Sequence, residues 1–303
     1  MGFLYLLEGI RNPVLDAIMS LITRLGEETA FLVAALILLW CVDKRRGYYV
    51  LFVGFIGVLS NQFLKLLCRV PRPWVLDPEF TIVESAREAA TGYSFPSGHT
   101  QSAVGTFGAI AYTSKNKCCR YLALAAAILV PFSRMYLGVH TPADVLVSVA
   151  IAVALILLLK PVVYAQKPMN IPAMLAIMFL LAVGYLCFTQ FYPFPADTDS
   201  HNLQSGAESA YTMLGCLLGF VLVYFVDEKW LHFPVKAVWW AQIIKVVLGL
   251  ALVLLVKSGL KTPLNLLLGD AVGRTMRYFL IAVVAGVVWP VTFPYFAKLA
   301  KKV

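Results

Sequence analysis

Three short segments of the chain carry side chains of the kinds that bind and cleave phosphate esters. In chain order they are Lys65 to Arg72-Pro73, then Pro96-Ser97-Gly98-His99, then Ser133-Arg134 with His140 and Asp144. They stand among almost purely apolar stretches, because 60% of the 303 residues are hydrophobic and only 14% are charged. An ionisable group near a membrane span is costly unless it has a partner or a task. The pattern therefore indicates a phosphate site at a membrane surface.

The first segment offers two cations. Lysine is a point charge and arginine a planar fork of donors, and together they suit the several oxygens of one phosphoryl group. Lys65 and Arg72 lie seven residues apart near the end of an apolar span, so two helical turns would place them on about the same face. The alternative is that both side chains only snorkel toward the membrane interface.

The second segment, Pro96-Ser97-Gly98-His99, is predicted to begin a helix. Proline and glycine shape a tight turn, and Ser97 can cap the helix or bond an oxyanion. The freed backbone N–H groups around Gly98 would point at an anion placed there, and His99 could protonate a leaving oxygen. Taken alone, the segment also fits an ordinary helix cap with an interfacial histidine.

The third segment supplies a candidate nucleophile. A neutral imidazole can attack phosphorus, and a carboxylate bonded to its other nitrogen fixes the tautomer and stabilises the developing positive charge. His140 and Asp144 stand at i and i+4 and could form that pair, while Arg134 adds a third cation. The stretch Thr141-Pro142-Ala143-Asp144 also fits a cap, a proline and a first-turn acid. That alternative accounts for neither Arg134 nor His140.

Apolar runs of spanning length recur along the chain and predict an all-α, polytopic transmembrane helical bundle. About nine spans are expected, at residues 27–43, 47–68, 98–114, 119–136, 142–164, 171–190, 207–226, 236–257 and 273–297. Residues 3–22 favour an amphipathic helix lying at the interface over a spanning one, because their apolar residues share one face. Since helices in lipid pack as one bundle, residues 1–303 are expected to form a single membrane domain. Its parts are an interfacial helix at 1–25, a catalytic core at 26–165 with all three segments, and additional transmembrane helices at 166–303.

Connectivity places the three segments on one side of the membrane, the side of the N-terminus. Thirteen lysines and arginines lie on the opposite face, Lys167, Lys301 and Lys302 among them, against eight on the motif face besides the three motif cations. The positive-inside rule then makes the motif face extracytoplasmic. The site is expected to open to the exterior of a bacterial cell, or to the endoplasmic reticulum lumen in a eukaryote.

The remaining polar residues give weaker indications of the function. The net charge of +9 is spread over loops between apolar spans, which fits anionic lipid and membrane topology rather than nucleic acid. The six cysteines form no metal-ligand spacing or disulfide framework, and neither a metal nor another cofactor is expected. Lys245 and Asn61-Gln62 lie inside spans, where polar residues mark a functional path or a helix–helix hydrogen bond.

Two polar loops on the motif face have two interpretations each. Residues 74–93 carry several acidic side chains and fit either a lid that sorts substrates or a solvated loop. Asp197, Asp199 and His201 could attract a cation, but an ordinary polar loop is the simpler interpretation.

As a set, the three segments resemble the tripartite signature of the type-2 phosphatidic acid phosphatase superfamily. Lys65 is followed after six residues by Arg72-Pro73; Pro96-Ser97-Gly98-His99 follows; Ser133-Arg134 is followed after five residues by His140 and after three more by Asp144. The resemblance is strongest over residues 65–144. The nine-span layout is also similar to the branch that holds sphingosine-phosphate phosphatases and glucose-6-phosphatases.

This resemblance implies a haloperoxidase-like catalytic core and a role for each motif residue. His140 would form a phosphohistidine intermediate, Asp144 would orient it, and His99 would protonate the departing alcohol. The phosphoryl oxygens would be bound by the remaining motif groups, namely Lys65, Arg72, Ser97, the Gly98 backbone and Arg134. No metal would be required, because the cations belong to the protein.

The expected activity is that of an integral membrane phosphatase acting on a lipid phosphate monoester or diphosphate, of the phosphatidate, prenyl diphosphate or sphingosine-phosphate type. One alternative keeps the mechanism but changes the substrate to a soluble sugar phosphate. An alternative from another class is a lipid transporter or flippase, suggested by the nine spans and by Lys245.

Overall fold

The computed structural model describes residues 1–88, 90–164 and 171–299, and within these ranges the regular elements are helices, with no strand. This confirms the predicted all-α class. The α-helices are α1 (Gly2–Glu8), α2 (Pro13–Thr23), α3 (Glu28–Ile37), α4 (Lys44–Cys68), α5 (Pro73–Leu76), α6 (Gly98–Thr113), α7 (Lys117–Tyr136), α8 (Pro142–Tyr164), α9 (Ile171–Phe191), α10 (Ser200–Val226), α11 (Trp239–Gly259), α12 (Lys261–Val283) and α13 (Phe293–Leu299). Three π-helical turns, at Leu38–Val42, Asp227–Leu231 and Val284–Val288, extend α3, α10 and α12.

The number of helices able to cross a membrane is smaller than the nine expected. Among the described residues, seven helices are long and apolar enough, and a bent pair, Pro13–Gly26 with Glu28–Val42, would make an eighth. Helix α6 coincides with a predicted span but has only 16 residues. It packs mainly against α7 and α8, and protein rather than lipid covers most of its surface, so it needs neither spanning length nor an apolar circumference. Lys167, Lys301 and Lys302, which entered the orientation count, lie outside the described residues.

The N-terminal segment forms two short helices where the sequence predicted one. Helix α1 ends at Glu8 and α2 begins at Pro13, which occupies the first helical position. The residue before a proline is disfavoured in the helical region, and Asn12 accordingly adopts an extended conformation and accepts a hydrogen bond of 3.0 Å from the Leu15 amide. The two helices keep exposed apolar side chains such as Val14 and Leu21. The interfacial placement of this segment stays a prediction.

The described chain forms two compact units, and the single-domain organisation stays a prediction. The first unit comprises Met1–Ala34, Tyr49–Tyr164 and Pro193–Gly206. Its interior is organised around α6, whose buried residues include both alanines and hydroxyl or amide side chains. All residues of the three motif segments belong to this unit.

The second unit comprises the described residues of Ala35–Tyr48, Ala165–Tyr192 and Ala207–Val303. Here α10 and α12 approach closely, because a Cβ on Gly215 would lie 2.2 Å from the Thr275 carbonyl oxygen and one on Gly219 would lie 2.4 Å from the Ala282 Cβ. Small residues four apart allow such close contact between membrane helices.

Lys245, in the second unit, is fully buried, and its ammonium group is hydrogen-bonded within the protein. Its ammonium donates to the carbonyl oxygens of Trp40 at 2.8 Å and Val235 at 3.1 Å and lies over the Phe293 ring. The Trp40 indole N–H in turn donates to the Ala285 carbonyl at 2.9 Å. Two of these partners lie in π-helical turns, which free backbone carbonyls from the regular helical pattern. Lys245 thus acts as a structural cross-link between segments of this unit.

Candidate active site

The first unit brings the three motif segments together around one cavity of about 330 Å³. The cavity is lined by six of the eight candidate site residues: Lys65, Arg72, Gly98, His99, Arg134 and His140. The other two, Ser97 and Asp144, are buried and contact the cavity-lining residues from behind. The sequence spacing therefore led to residues that meet in space.

Lys65 and Arg72 do not share a helix face, contrary to the sequence prediction. Helix α4 ends at Cys68, Arg69 has a φ of 51°, and Arg72 has an extended backbone before α5. The cause lies in Pro71 and Pro73, since proline lacks an N–H and disfavours a helical conformation in the residue before it. The chain turns back at this point, and the turn rather than helical periodicity brings the two cations together.

Backbone carbonyls of residues 91–93 hold both cations in place. The Lys65 ammonium donates to the Tyr93 carbonyl, and the Arg72 guanidinium donates to the carbonyls of Thr91 at 2.7 Å and Gly92 at 3.1 Å. Gly92 has a φ of 68°, a conformation that favours glycine. Of the two interpretations of residues 74–93, the solvated one fits the exposed acidic side chains, whereas the end of the loop is part of the site.

The second motif starts α6 in the manner of a helix cap. The Ser97 hydroxyl accepts a hydrogen bond of 3.4 Å from the Thr100 amide, and the Ser97 amide donates to the Asp144 carbonyl at 3.2 Å. The Ser97 side chain is fully buried and does not line the cavity, so the structure places it as a cap. His99 does line the cavity, and its Nε2 atom has no hydrogen-bond partner among the described residues.

His140 is held between a cation and a carboxylate. Its Nε2 lies 2.9 Å from the Arg72 Nη1, and its Nδ1 lies 3.5 Å from the Asp144 Oδ2. A guanidinium can only donate, so Nε2 accepts and the ring proton resides on Nδ1, facing the carboxylate. Burial, and after it the charge of Arg72, lowers the pKa of His140 well below its usual value. The imidazole is therefore neutral, as a nucleophile must be.

The Asp144 carboxylate caps the helix start. Its Oδ2 accepts hydrogen bonds from the Thr141 amide at 2.8 Å and from the Ser94 hydroxyl at 2.6 Å. Toward His140 it lies close but makes no hydrogen bond in the described structure, so its role in orienting the histidine stays a prediction. Ser94 is fully buried and lies just before the second motif, where the sequence offered no signal that it would contact the third.

Arg134 is fully buried and only partly bonded. Its Nη1 donates to the Thr23 hydroxyl at 2.8 Å, whereas Nε and Nη2 have no partner in the described structure. A buried guanidinium with unused donors is unfavourable unless an anion accepts them. Thr23 lies at the end of α2, in a segment for which the sequence indicated no part in the site.

We expect Thr23→Val to lower kcat/KM for phosphate release about tenfold, because the isosteric side chain leaves Arg134 without its one fixed partner. Thr23→Ser keeps the hydroxyl and should restore at least half of the lost activity. Steady-state kinetics and the inhibition constant of inorganic phosphate, measured on both variants, check this prediction. Equal phosphate inhibition in wild type and Thr23→Val would show that the bond does not position Arg134.

Residues outside the motifs complete the cavity. They include Glu27 and Glu28 at the start of α3, Asn61 and Gln101 in the interior, and Asn202 and Ser205 in the first turns of α10. Asp199 caps α10 through the Asn202 amide at 2.7 Å, which fits the ordinary-loop interpretation of that segment. In the described parts of the chain, no group of three or more His, Cys, Asp or Glu residues is arranged to hold a metal ion.

Several known proteins are similar to this chain. Residues 45–168 match the PAP2 superfamily, and residues 211–302 match the PAP2 superfamily phosphatase, transmembrane extension. Undecaprenyl-diphosphatase BcrC of Bacillus subtilis (strain 168) is 34% identical over 148 residues, 47% of this chain and 72% of that protein. Phosphatidylglycerophosphatase B of the same organism is 32% identical over 164 residues, 50% of this chain and 76% of that protein.

A third similar protein comes from Dictyostelium discoideum. A probable sphingosine-1-phosphate phosphatase of Dictyostelium discoideum is 31% identical over 164 residues, 50% of this chain and 39% of that protein. No solved structure matches the chain significantly. The chain belongs to the PAP2 superfamily, which confirms the resemblance seen in the motifs. It is a multi-pass integral membrane enzyme of the phosphoric monoester hydrolase class.

Proposed function

We propose that this membrane phosphatase hydrolyses a lipid phosphate monoester or diphosphate through a phosphohistidine intermediate on His140. The observation that carries the proposal is the cavity in which three cations and two histidines meet. Within the ranges that the structure describes, two donor nitrogens of Arg134 and one ring nitrogen of His99 have no hydrogen-bond partner. An anionic group with several oxygens, able to react with an imidazole, is the ligand that this combination fits.

Formation of the intermediate needs one nucleophile and one acid. The phosphoryl oxygens bind Lys65, Arg72, Arg134 and the amide N–H groups at the start of α6. The His140 Nε2 attacks phosphorus and the ester P–O bond breaks. Burial, and after it the charge of Arg134, lowers the pKa of His99. The negative charge of the bound phosphoryl group offsets those cations, so His99 takes up a proton with the substrate and gives it to the departing oxygen. Asp144, next to Nδ1, stabilises the positive charge that develops on the ring.

Hydrolysis of the intermediate reverses the proton transfer. A water molecule attacks phosphorus while His99, now neutral, takes a proton from it. The P–N bond breaks, the electron pair returns to the His140 Nε2, and inorganic phosphate leaves. Both histidines end in the state in which they began.

The proposal of a lipid substrate rests on the membrane setting of the site. The motif residues lie at or beyond the ends of apolar helices, where a lipid headgroup resides. The names of three similar proteins refer to undecaprenyl diphosphate, phosphatidylglycerophosphate and sphingosine-1-phosphate. The bias of basic residues toward the opposite face supports a site that opens extracytoplasmically. Lys245, which suggested a transporter, is accounted for by its hydrogen bonds within the second unit.

Phosphate release tests the proposal. Purified protein in detergent, with EDTA present, should release phosphate from at least one of phosphatidate, lysophosphatidate, sphingosine phosphate or a prenyl diphosphate, and glucose 6-phosphate should not compete. In sealed vesicles of known orientation, lipid confined to the extracytoplasmic leaflet should be the form consumed. Release from glucose 6-phosphate alone would favour the soluble-substrate alternative, and no release from any lipid would refute the proposal.

A further inference from the structure

Two buried carboxamides in the cavity have no hydrogen-bond partner. Asn61 and Gln101 are each 2% exposed. Both line the cavity, and in each the side-chain nitrogen and the side-chain oxygen are unbonded in the described structure. Four unused polar atoms in one cavity require a ligand or water, because a buried amide without partners is less favourable than an apolar side chain of the same shape.

Other buried side chains of α6 differ from the two amides in position. The hydroxyls of Thr100 and Thr106 also have no partner among the described residues, but neither threonine lines the cavity. The Thr113 hydroxyl, near the end of the same helix, donates to the Ala109 carbonyl at 2.8 Å. Asn61 and Gln101 combine unbonded polar atoms with a place in the cavity wall, so their polar atoms point to a binding role.

The two amides lie next to the groups that would handle phosphate, on the interior side. Asn61 precedes Lys65 by one turn of α4, about 6 Å along the helix axis. Gln101 follows His99 by two residues, and its Nε2 would be 2.7 Å from a Cβ on Gly57, so the glycine makes room for the amide. The Asn61 Oδ1 would lie 3.6 Å from a Cβ on Gly98, at the start of α6. A group bound there would be attached close to the phosphate ester.

The chemistry of the amides selects among the lipids that the proposed function allows. Each amide presents one acceptor and two donors, which complements a hydroxyl group that both donates and accepts. A second phosphate offers acceptors only and would meet the amide oxygens, which are acceptors too. The carboxylates of Glu27 and Glu28, which also line the cavity, add negative charge that opposes it. An isoprenoid or alkyl chain offers no polar atom at all.

We propose that Asn61 and Gln101 bind a hydroxyl group on the leaving alcohol, so that the enzyme selects lipid monophosphates with a hydroxyl close to the phosphate ester over deoxy lipids and prenyl diphosphates. This inference rests on the proposed phosphatase function and names its substrate class. The amides act on specificity; they take no part in bond making or breaking.

A pair of substrates that differ by one hydroxyl tests the inference. One is a 1-acyl-glycerol 3-phosphate, and the other is the matching acyl-propanediol phosphate without the secondary hydroxyl. We expect wild type to prefer the hydroxylated lipid by about tenfold or more in kcat/KM, because a lipid without the hydroxyl leaves the two buried amides unpaired. Asn61→Leu and Gln101→Met should each reduce that ratio to about threefold or less. Gln190→Met, which makes the same amide-to-thioether replacement on the exposed side of α9, should leave it unchanged.

The possible results separate this inference from the proposed function. If wild type cleaves both lipids with equal kcat/KM, or prefers a prenyl diphosphate, the inference is wrong and the phosphatase function stands. If wild type cleaves no lipid, the proposed function fails and the inference fails with it. The wild-type ratio decides even where a variant does not fold.

Thermal unfolding in detergent, followed by tryptophan fluorescence, gives an independent reading. Without substrate, Asn61→Leu and Gln101→Met should raise the Tm or leave it unchanged, because they replace unbonded amides by apolar side chains. A clear fall in Tm for both variants would mean that the amides have structural partners, and it would overturn the binding role.

Discussion

Replacing His140 with Asn should lower phosphate release at least about 10⁴-fold for every substrate, because the asparagine amide has no lone pair that can attack phosphorus. Among the described cavity residues, the other histidine is His99, which lies at the start of α6 and is proposed to act as the acid. Steady-state phosphate release measures the loss. Activity within about tenfold of wild type would exclude His140 as the nucleophile.

The matched control for this variant is His201→Asn. His201 is an exposed histidine in the first turn of α10 and does not line the cavity, so the same change there should leave the rate unaltered. A direct test of the intermediate uses substrate with a radioactive phosphoryl group and rapid acid-free quenching. Wild type should carry an acid-labile, base-stable label on one histidine, and His140→Asn should carry none.

Replacing His99 with Ala should produce a loss that depends on the leaving group. For an alkyl phosphate, whose alkoxide must be protonated as it departs, we expect a decrease of about 10³-fold. For p-nitrophenyl phosphate, whose leaving group is stable without a proton, the decrease should be about tenfold or less. The ratio of kcat values for the two substrates measures the effect.

The comparison between the two histidines makes the assignment of roles testable. His140→Asn should abolish both reactions equally, whereas His99→Ala should separate them. Equal losses for alkyl and p-nitrophenyl substrates in His99→Ala would contradict its role as the acid. Such a result would indicate that the histidine only binds the phosphoryl group or supports the start of α6.

The helical segments were predictable because apolar runs of spanning length leave few alternatives in lipid. Helix α6 coincides with the predicted residues 98–114, although its buried Thr100, Gln101, Ser102 and Thr106 show that it is surrounded by protein. Hydropathy reports how apolar a helix is and not which neighbours cover it, so the number of true spans could not be read from the sequence. The break in the N-terminal helix was missed although Asn12-Pro13 carried a recognisable start signal.

The site was predictable where spacing fixes geometry and not where a tertiary contact does. The i, i+4 relation of His140 and Asp144 holds across the start of α8. Helical periodicity failed for Lys65 and Arg72 because α4 ends between them, ahead of the prolines on either side of Arg72. Other contacts to motif residues come from positions distant in sequence, namely Thr23, Ser94 and the carbonyls of residues 91–93. A single serine, threonine or backbone carbonyl has no sequence pattern that would predict such a contact.

The hydrogen bond between Arg72 Nη1 and His140 Nε2 has a consequence for selectivity among reagents. It occupies the only lone pair through which the imidazole can react, because the other ring nitrogen carries the proton. A neutral electrophile such as an acylating reagent offers nothing to draw the guanidinium away, so His140 is shielded from it. An anionic phosphoryl group competes for the same guanidinium and thereby uncovers the lone pair. With His140 as the proposed nucleophile, Arg72 would keep its reactive lone pair bonded until a negatively charged phosphoryl group is bound.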